Sequence, residues 1–118
     1  MHQTYFIDID GTLVPHLSNQ ELDQRIASSQ PFTESLLPGI KEFWCNLDPT
    51  DQIVLTTART ENHRQVTERI FQENGLRYNF LIMGLPSGPR TLINDYVDEL
   101  KAFAINVKRD QGWTLSDK

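Results

Sequence analysis

The sequence comprises 118 residues, of which 23% are charged and 38% hydrophobic, and its formal net charge at pH 7 is −5. This length suffices for one compact domain over residues 1–118 with a single core, and it excludes a second domain. An acidic chain without a basic run is not expected to bind nucleic acid nonspecifically, because such binding depends on neutralising phosphates. Cys45 is the single cysteine, which rules out an internal disulfide.

The chain carries no sequence signal for a membrane. No apolar run approaches the roughly 20 residues that a membrane-spanning helix requires. The N-terminal segment lacks the basic region and apolar stretch of a signal peptide. We therefore predict no membrane partner and a cytoplasmic protein.

Predicted strands and helices alternate along the chain. Apolar runs rich in β-formers predict strands, whereas apolar residues at helical spacing between a capping residue and a Gly or Pro predict helices. The predicted strands cover residues 4–10, 52–57, 78–85, 91–95 and 103–107, and the predicted helices cover 19–27, about 40–47 and 60–74. The rest of residues 14–35 is polar and irregular, and Val97–Lys101 is expected to form a helical turn.

This alternation, with several continuously apolar strands, indicates an α/β fold. We expect a Rossmann-like, mainly parallel sheet of about five strands with helices on both faces and no large cap. Right-handed crossovers would place the carboxyl ends of all the strands on one edge of the sheet. Asp8, Thr57 and Asp95 lie at the ends of predicted strands, so we expect them to converge at that edge.

The segment Thr4–Leu13 carries the strongest functional signal. Its apolar strand leads to Asp8 and Asp10, which are followed by Gly11 and Thr12. Two carboxylates at this spacing repel each other and lose solvation unless a cation or strong donors offset them. A divalent ion with oxygen ligands is the natural partner, and Mg2+ keeps few carboxylates and some water. The spacing excludes an EF-hand calcium loop, which needs Gly at its sixth position and Glu at its twelfth.

The same segment resembles motif I of the haloacid dehalogenase (HAD) superfamily, in which an apolar strand precedes D-x-D-G-T. The resemblance implies that Asp8 is the nucleophile that attacks phosphorus and that Asp10 is the general acid and base. It also places Gly11 and Thr12 at the substrate. Gly11 permits the sharp turn that brings Asp10 in from another side, and the Thr12 hydroxyl can bind nearby backbone groups.

The strand that ends at Thr56 and Thr57 resembles motif II of this superfamily, an apolar strand that ends in Thr or Ser. Thr57 is the preferred candidate to bind a phosphoryl oxygen, because Ala58 and Arg59 follow it as a small residue and an Arg often do in the family; Thr56 is the alternative. Ala58 and Arg59 are assigned to substrate binding, with an ion pair that braces the loop as the alternative for Arg59. His63 is expected to be a solvated helix residue.

The segment up to Asp95 resembles motif IV, whose acid completes the metal shell. Asp95 aligns with the usual ligand, whereas Asn94 stands where many relatives carry a second acid, and its amide oxygen can still bind Mg2+. Asp98 is a further candidate. Motif III normally supplies a Lys before motif IV, and none is present there. Arg90 is the best-placed cation and Arg77 the alternative, although an Arg is not equivalent to a Lys.

Taken over the chain, the resemblance implies a HAD-like hydrolase domain of the minimal, capless branch, because the insert at 14–35 is too short for a large cap. It implies a phosphatase that forms an aspartyl-phosphate on Asp8. It also implies that the required Mg2+ is held by a side-chain oxygen of Asp8, the backbone carbonyl of Asp10, Asp95 and water. The expected substrate is a phosphorylated small molecule or a phosphorylated polymer end. Homo-oligomer formation is left open: Trp113 in the polar tail is a candidate contact, although packing of the tail on the domain is simpler.

Two alternatives come from other functional classes. A receiver domain of two-component signalling has a similar length and sheet, but its acids are adjacent and its phosphorylated Asp follows a middle strand, where this chain has Thr57. A non-catalytic or regulatory module that binds a phospho-ligand or Mg2+ on a HAD scaffold would explain Asn94 and the missing Lys. Such a module does not need both Asp8 and Asp10.

Overall fold

The computed structural model describes residues 2–114 as a small α/β fold on one parallel sheet of strand order β1-β2-β3. The strands are β1 (Thr4–Asp8), β2 (Gln52–Thr56) and β3 (Phe80–Ile82), and the helices are α1 (Asn19–Ala27), α2 (Ile40–Cys45) and α3 (Arg64–Asn74), the last preceded by a 3₁₀ turn (Glu61–His63). The predicted α/β class is therefore confirmed. Over the described residues, no helix is long and apolar enough to cross a bilayer.

The prediction of about five strands is wrong, because the described residues form three. Residues 91–95 and 103–107 contain no strand, and Val97–Lys101 contains bends instead of the expected helical turn. The apolar side chains of this region are exposed, Ile93 at 91% and Phe103 at 74%. The physical reason is that strand propensity measures how well a residue packs beside a neighbouring strand, so an apolar run without an aligned partner does not become a strand.

Helices α2 and α3 share a core with one face of the sheet, whereas helices were predicted on both faces. Ile53 and Leu55 of β2 are fully buried in a core that includes apolar residues of α2 and α3. On the opposite face Phe6, Val54 and Phe80 lie side by side in register, and both Phe residues are 59% exposed. The strand order explains this asymmetry, because right-handed crossovers that step in one direction across a sheet place both connections on the same face.

Helix α1 has the predicted bounds, and local sequence determines its start. The Ser18 side chain accepts a hydrogen bond from the Glu21 main-chain N (3.1 Å), and Ser18 N donates to Glu21 Oε1 (3.1 Å), which together form a capping box. The helix predicted over residues 60–74 begins instead with the 3₁₀ turn. Its end is as predicted, since Gly75 adopts a left-handed conformation with φ 65°.

The tail of the described chain packs onto the domain through residues 109–113, which begin with a turn at 109–111. Trp113 N donates to Pro38 O at 2.8 Å, and the Trp113 ring meets the Phe43 ring edge-on with a centroid distance of 4.8 Å. The expected packing of Trp113 is therefore confirmed. Gly39 makes the approach feasible: its φ is +78°, and a Cβ at this position would lie 1.8 Å from the Trp113 carbonyl oxygen.

We expect Gly39→Ala to destabilise the protein by about 3 kcal/mol or more, because the new methyl combines a left-handed backbone with a clash against the main chain of the docked tail. Gly75→Ala is the matched control. Gly75 also has a positive φ, but a Cβ there meets nothing within 4 Å, so only about 1–2 kcal/mol is expected. Urea unfolding of both variants measures the difference. Equal losses of stability would show that residues 109–113 are not docked against Gly39.

Candidate active site

The site forms where β1 and β2 end, at the carboxyl edge of the sheet. Asp8 is the last residue of β1 and pairs in register with Thr56, the last residue of β2. Arg90 Nη1 donates to Asp8 Oδ1 at 2.8 Å and to Thr56 Oγ1 at 3.3 Å, and Thr12 Oγ1 donates to Asp8 Oδ2 at 3.2 Å. The structure thus brings together the predicted nucleophile, the predicted substitute for the motif III Lys and two hydroxyls.

This part of the site is open to solvent. The side chains of Asp8 and Arg90 are 38% and 40% exposed. An exposed ion pair is held weakly, because water screens its attraction. An incoming anion can therefore compete for the guanidinium, and an Arg fork matches a phosphoryl group through paired hydrogen bonds.

Asp10 faces a different environment, beneath the loop that follows β2. Arg59 Nε donates to both Asp10 oxygens, at 3.2 Å and 3.0 Å, and Arg59 Nη2 donates to Asp10 Oδ1 at 2.9 Å. The Asp10 side chain is 13% exposed and that of Arg59 1% exposed. Of the two roles considered for Arg59, the structure places it in an ion pair that braces the loop, with no surface open to substrate.

A second carboxylate, Glu34, completes the surroundings of Arg59. Arg59 Nη1 donates to Glu34 Oε2 at 3.0 Å, and Nη2 donates to Glu34 Oε1. Burial alone lowers the pKa of the Arg59 guanidinium, but the hydrogen bonds to Glu34 and Asp10 outweigh burial and raise this pKa above its ordinary value. The guanidinium is therefore a permanent buried cation that neutralises one of the two carboxylates it contacts.

The two threonines at the end of β2 have different surroundings. Thr57 is fully buried, and its hydroxyl donates to Asp10 Oδ2 at 3.5 Å and accepts from Arg59 N at 3.0 Å. Thr56 lies beside Arg90, on the face of the sheet that carries Asp8. Because successive strand residues point to opposite faces, only one of the two can share the Asp8 side. Thr56, the alternative of the sequence prediction, is therefore the hydroxyl on the Asp8 side.

The loop after β1 turns sharply at Gly11, as the sequence predicts. Gly11 has φ +82°, and its N donates to Val14 O at 2.8 Å. Its carbonyl accepts from Asp110 N at 2.8 Å, and the side chain of Arg109 lies 3.1 Å from where a Cβ would stand. Gly11 is buried, so the structure gives it a backbone role and does not expose it to substrate. Sequence reasoning missed this contact with the tail, whose local signal is the turn-forming pair Asp110 and Gly112.

The insert at residues 14–35 is fastened to the segment that follows β2. Besides the contact of Glu34 with Arg59, Asn19 Nδ2 donates to the Ala58 carbonyl at 3.1 Å, and Asp23 contacts His63 Nε2 at 2.5 Å. The Ala58 carbonyl is therefore engaged with α1. The His63 side chain is 4% exposed, which contradicts the expected solvated position, because α1 packs over it.

The predicted metal ligands are not gathered. Asp95, Asn94 and Asp98 lie in an exposed segment without regular structure, where Asn94 Nδ2 donates to the Asp95 carbonyl at 3.4 Å. Among residues 2–114 there is no cluster of three or more His, Cys, Asp or Glu side chains able to hold a metal ion. Arg77, the alternative cation for motif III, donates instead to the carbonyls of Asp48 and Asp51, before β2 begins.

Comparison with known proteins identifies a solved structure that is similar to this fold. No protein-family model and no curated protein matches the sequence. A chain of the Pnkp1/Rnl/Hen1 complex is similar in structure, with a TM-score of 0.51 and 18% sequence identity. The match covers 76% of this chain and 30% of the other, so this chain spans less than a third of that relative. At this identity the similarity supports the fold.

Proposed function

We propose that this chain is a Mg2+-dependent phosphomonoester hydrolase of the HAD type that acts through an aspartyl-phosphate on Asp8. The observation that carries the proposal is the grouping of Asp8, Arg90 and Thr56 at the carboxyl edge of the sheet. Ligands of open α/β sheets bind at this edge. The grouping supplies an exposed carboxylate as nucleophile, with a cation and hydroxyls to hold the group that it attacks.

In the first step of the proposed reaction, Arg90 transfers its hydrogen bonds from Asp8 to the phosphoryl oxygens of the substrate, and Thr56 donates to one of them. A carboxylate oxygen of Asp8 attacks phosphorus in line with the leaving oxygen. The new O–P bond forms as the bond from phosphorus to the leaving oxygen breaks. Asp10, which takes up a proton from solvent before this step, donates it to the leaving oxygen, so that the product departs as an alcohol.

In the second step, water hydrolyses the aspartyl-phosphate. Asp10, now a carboxylate, accepts a proton from the attacking water, and cleavage of the O–P bond returns Asp8 to its starting state with release of inorganic phosphate. The hydrogen bonds of Asp10 with Arg59 and Thr57 support a defined position for this proton transfer. A covalent nucleophile divides one difficult displacement into two easier ones.

Mg2+ remains part of the proposal, although the described side chains do not complete its site. Asp8 would be its carboxylate ligand and the Asp10 main-chain carbonyl a second ligand, but Asp95 and Asn94 lie in the exposed segment. We therefore assign no step of the reaction to the ion. The dependence of the rate on added Mg2+ decides this part of the proposal separately.

One observation favours a second function, the non-catalytic module that binds a phospho-ligand. Arg59 donates to both oxygens of Asp10. A carboxylate with only a structural role would make the same contacts. Such a module would bind phosphate or vanadate at Arg90 without turnover. Calorimetric titration of the protein with inorganic phosphate, combined with the activity assay below, distinguishes the two functions.

The test is hydrolysis of p-nitrophenyl phosphate and of a panel of phosphorylated sugars, nucleotides and oligonucleotide ends, each with Mg2+ and with EDTA. We expect release of phosphate that depends on Mg2+, and the ranking of the panel separates small molecules from polymer ends. If the folded protein binds phosphate but hydrolyses none of these compounds, its function is that of the binding module and the hydrolase is excluded. Turnover that EDTA does not affect would remove Mg2+ from the proposal.

A further inference from the structure

The environment of Arg59 shows more than a buried ion pair. An Arg side chain has five N–H donors in a rigid fork, and all five are used here. Nε donates to Asp10, Nη1 to Glu34 and Thr67, and Nη2 to Asp10 and Glu34. Thr67 in turn donates to the His63 carbonyl at 2.7 Å. The orientation of the guanidinium is therefore determined from several sides.

We infer that Arg59 and Glu34 are positioning residues that hold the Asp10 carboxylate at the leaving oxygen of the substrate. This inference rests on the proposed function. Arg59 fixes Asp10 through its Nε and Nη2 donors, and Glu34 fixes Arg59 through the adjacent Nη1 and Nη2 donors. Neither residue touches the substrate, since their side chains are 1% and 5% exposed.

Loss of the Glu34 charge should affect the reaction through Arg59 and Asp10. Glu34 belongs to the insert at residues 14–35, which matches no motif of the resemblance, and it lies 25 positions from Arg59 in sequence. Removal of its charge leaves donors of Arg59 without a carboxylate, so the fork can shift and carry Asp10 with it. A displacement of about 1 Å at a reacting group can reduce a rate by about 10²-fold.

The loss should depend on the leaving group. An alkyl phosphate releases a strongly basic alkoxide that needs a proton, whereas p-nitrophenolate leaves readily without one, so a misplaced acid harms the first reaction more. Loss of folded protein or of phosphate binding would lower both rates equally. The ratio of kcat/KM for the two substrates therefore reports the position of Asp10 and is insensitive to the amount of active protein.

The experiment compares wild type, Glu34→Gln and Glu34→Asp with an alkyl phosphate and with p-nitrophenyl phosphate. We expect Glu34→Gln to lower kcat/KM for the alkyl phosphate at least about tenfold more than for p-nitrophenyl phosphate. Glu34→Asp, which keeps the charge, should recover part of this difference and serves if the Gln variant does not fold. Glu61→Gln, at the exposed pair with Arg64, is the control and should leave the ratio unchanged.

Results that contradict the positioning role can be distinguished from results that contradict the proposed function. Equal losses for both substrates, or unchanged rates, in Glu34→Gln and Glu34→Asp would overturn the positioning role while the hydrolase stands. A wild type without turnover of either substrate would overturn the proposed function and this inference with it.

Discussion

Asp8→Asn should reduce turnover of the best phosphomonoester at least about 10³-fold, because an amide oxygen cannot form the aspartyl-phosphate. The fold should remain intact, since the lost ion pair between Asp8 and Arg90 is exposed and such pairs contribute about 0–1 kcal/mol. Steady-state kinetics measures the loss of activity, and urea unfolding measures the stability of the same preparation.

Asp48→Asn is the matched control for this substitution. It makes the same chemical change in the turn before β2, away from the carboxyl edge, where the Asp48 oxygen accepts from Thr50 N at 2.9 Å and an amide oxygen can do the same. The control should keep its activity within about twofold, as expected for a surface substitution away from the site. Near wild-type turnover by Asp8→Asn would exclude Asp8 as the nucleophile, whatever the effect of the control.

Arg59→Met should produce the largest loss of stability among these variants, about 3–5 kcal/mol, because it leaves Asp10 and Glu34 buried without their cation. Met is similar in length and preserves much of the packing. A domain of this size is stable by about 5–15 kcal/mol, so the variant should unfold at markedly lower urea concentration. Denaturant unfolding monitored by the fluorescence of the tryptophans measures this change.

Arg64→Met provides the comparison for Arg59→Met. Arg64 also pairs with a Glu, at 2.7 Å, but the side chains of Arg64 and Glu61 are 37% and 67% exposed. Its removal should cost less than about 1 kcal/mol. Similar destabilisation by the two substitutions would mean that Arg59 and its carboxylates are solvated in the native protein.

The parts of the fold that could be predicted from sequence depend on neighbouring residues or on general topology. The start of α1 follows from a capping box within four residues, Ser18 to Glu21. The approach of Asp8 to the end of β2 follows from the shared direction of parallel strands. Neither inference required knowledge of which distant side chains meet.

The parts that could not be predicted depend on contacts between distant segments. Nothing in the local sequence pairs Glu34 with Arg59, and the choice between Thr56 and Thr57 depends on which face of the sheet carries Asp8 and Arg90. The region at 91–107 has strand-like composition, but composition does not supply a partner. For this reason the predicted fourth and fifth strands failed while the first three were identified.

The contact of the tail turn with the loop after β1 has a consequence for synthesis of the protein. His16 N donates to Asp110 Oδ1, which lies 94 positions later in the sequence, and Gly11 accepts from Asp110 as well. Ribosomes add roughly 5–20 residues per second, so several seconds pass between synthesis of the loop and synthesis of the segment that contacts it. A chain still being translated can pair β1 with β2 once residue 56 has emerged, but the loop between Asp10 and His16 reaches its final form only once residue 110 has emerged.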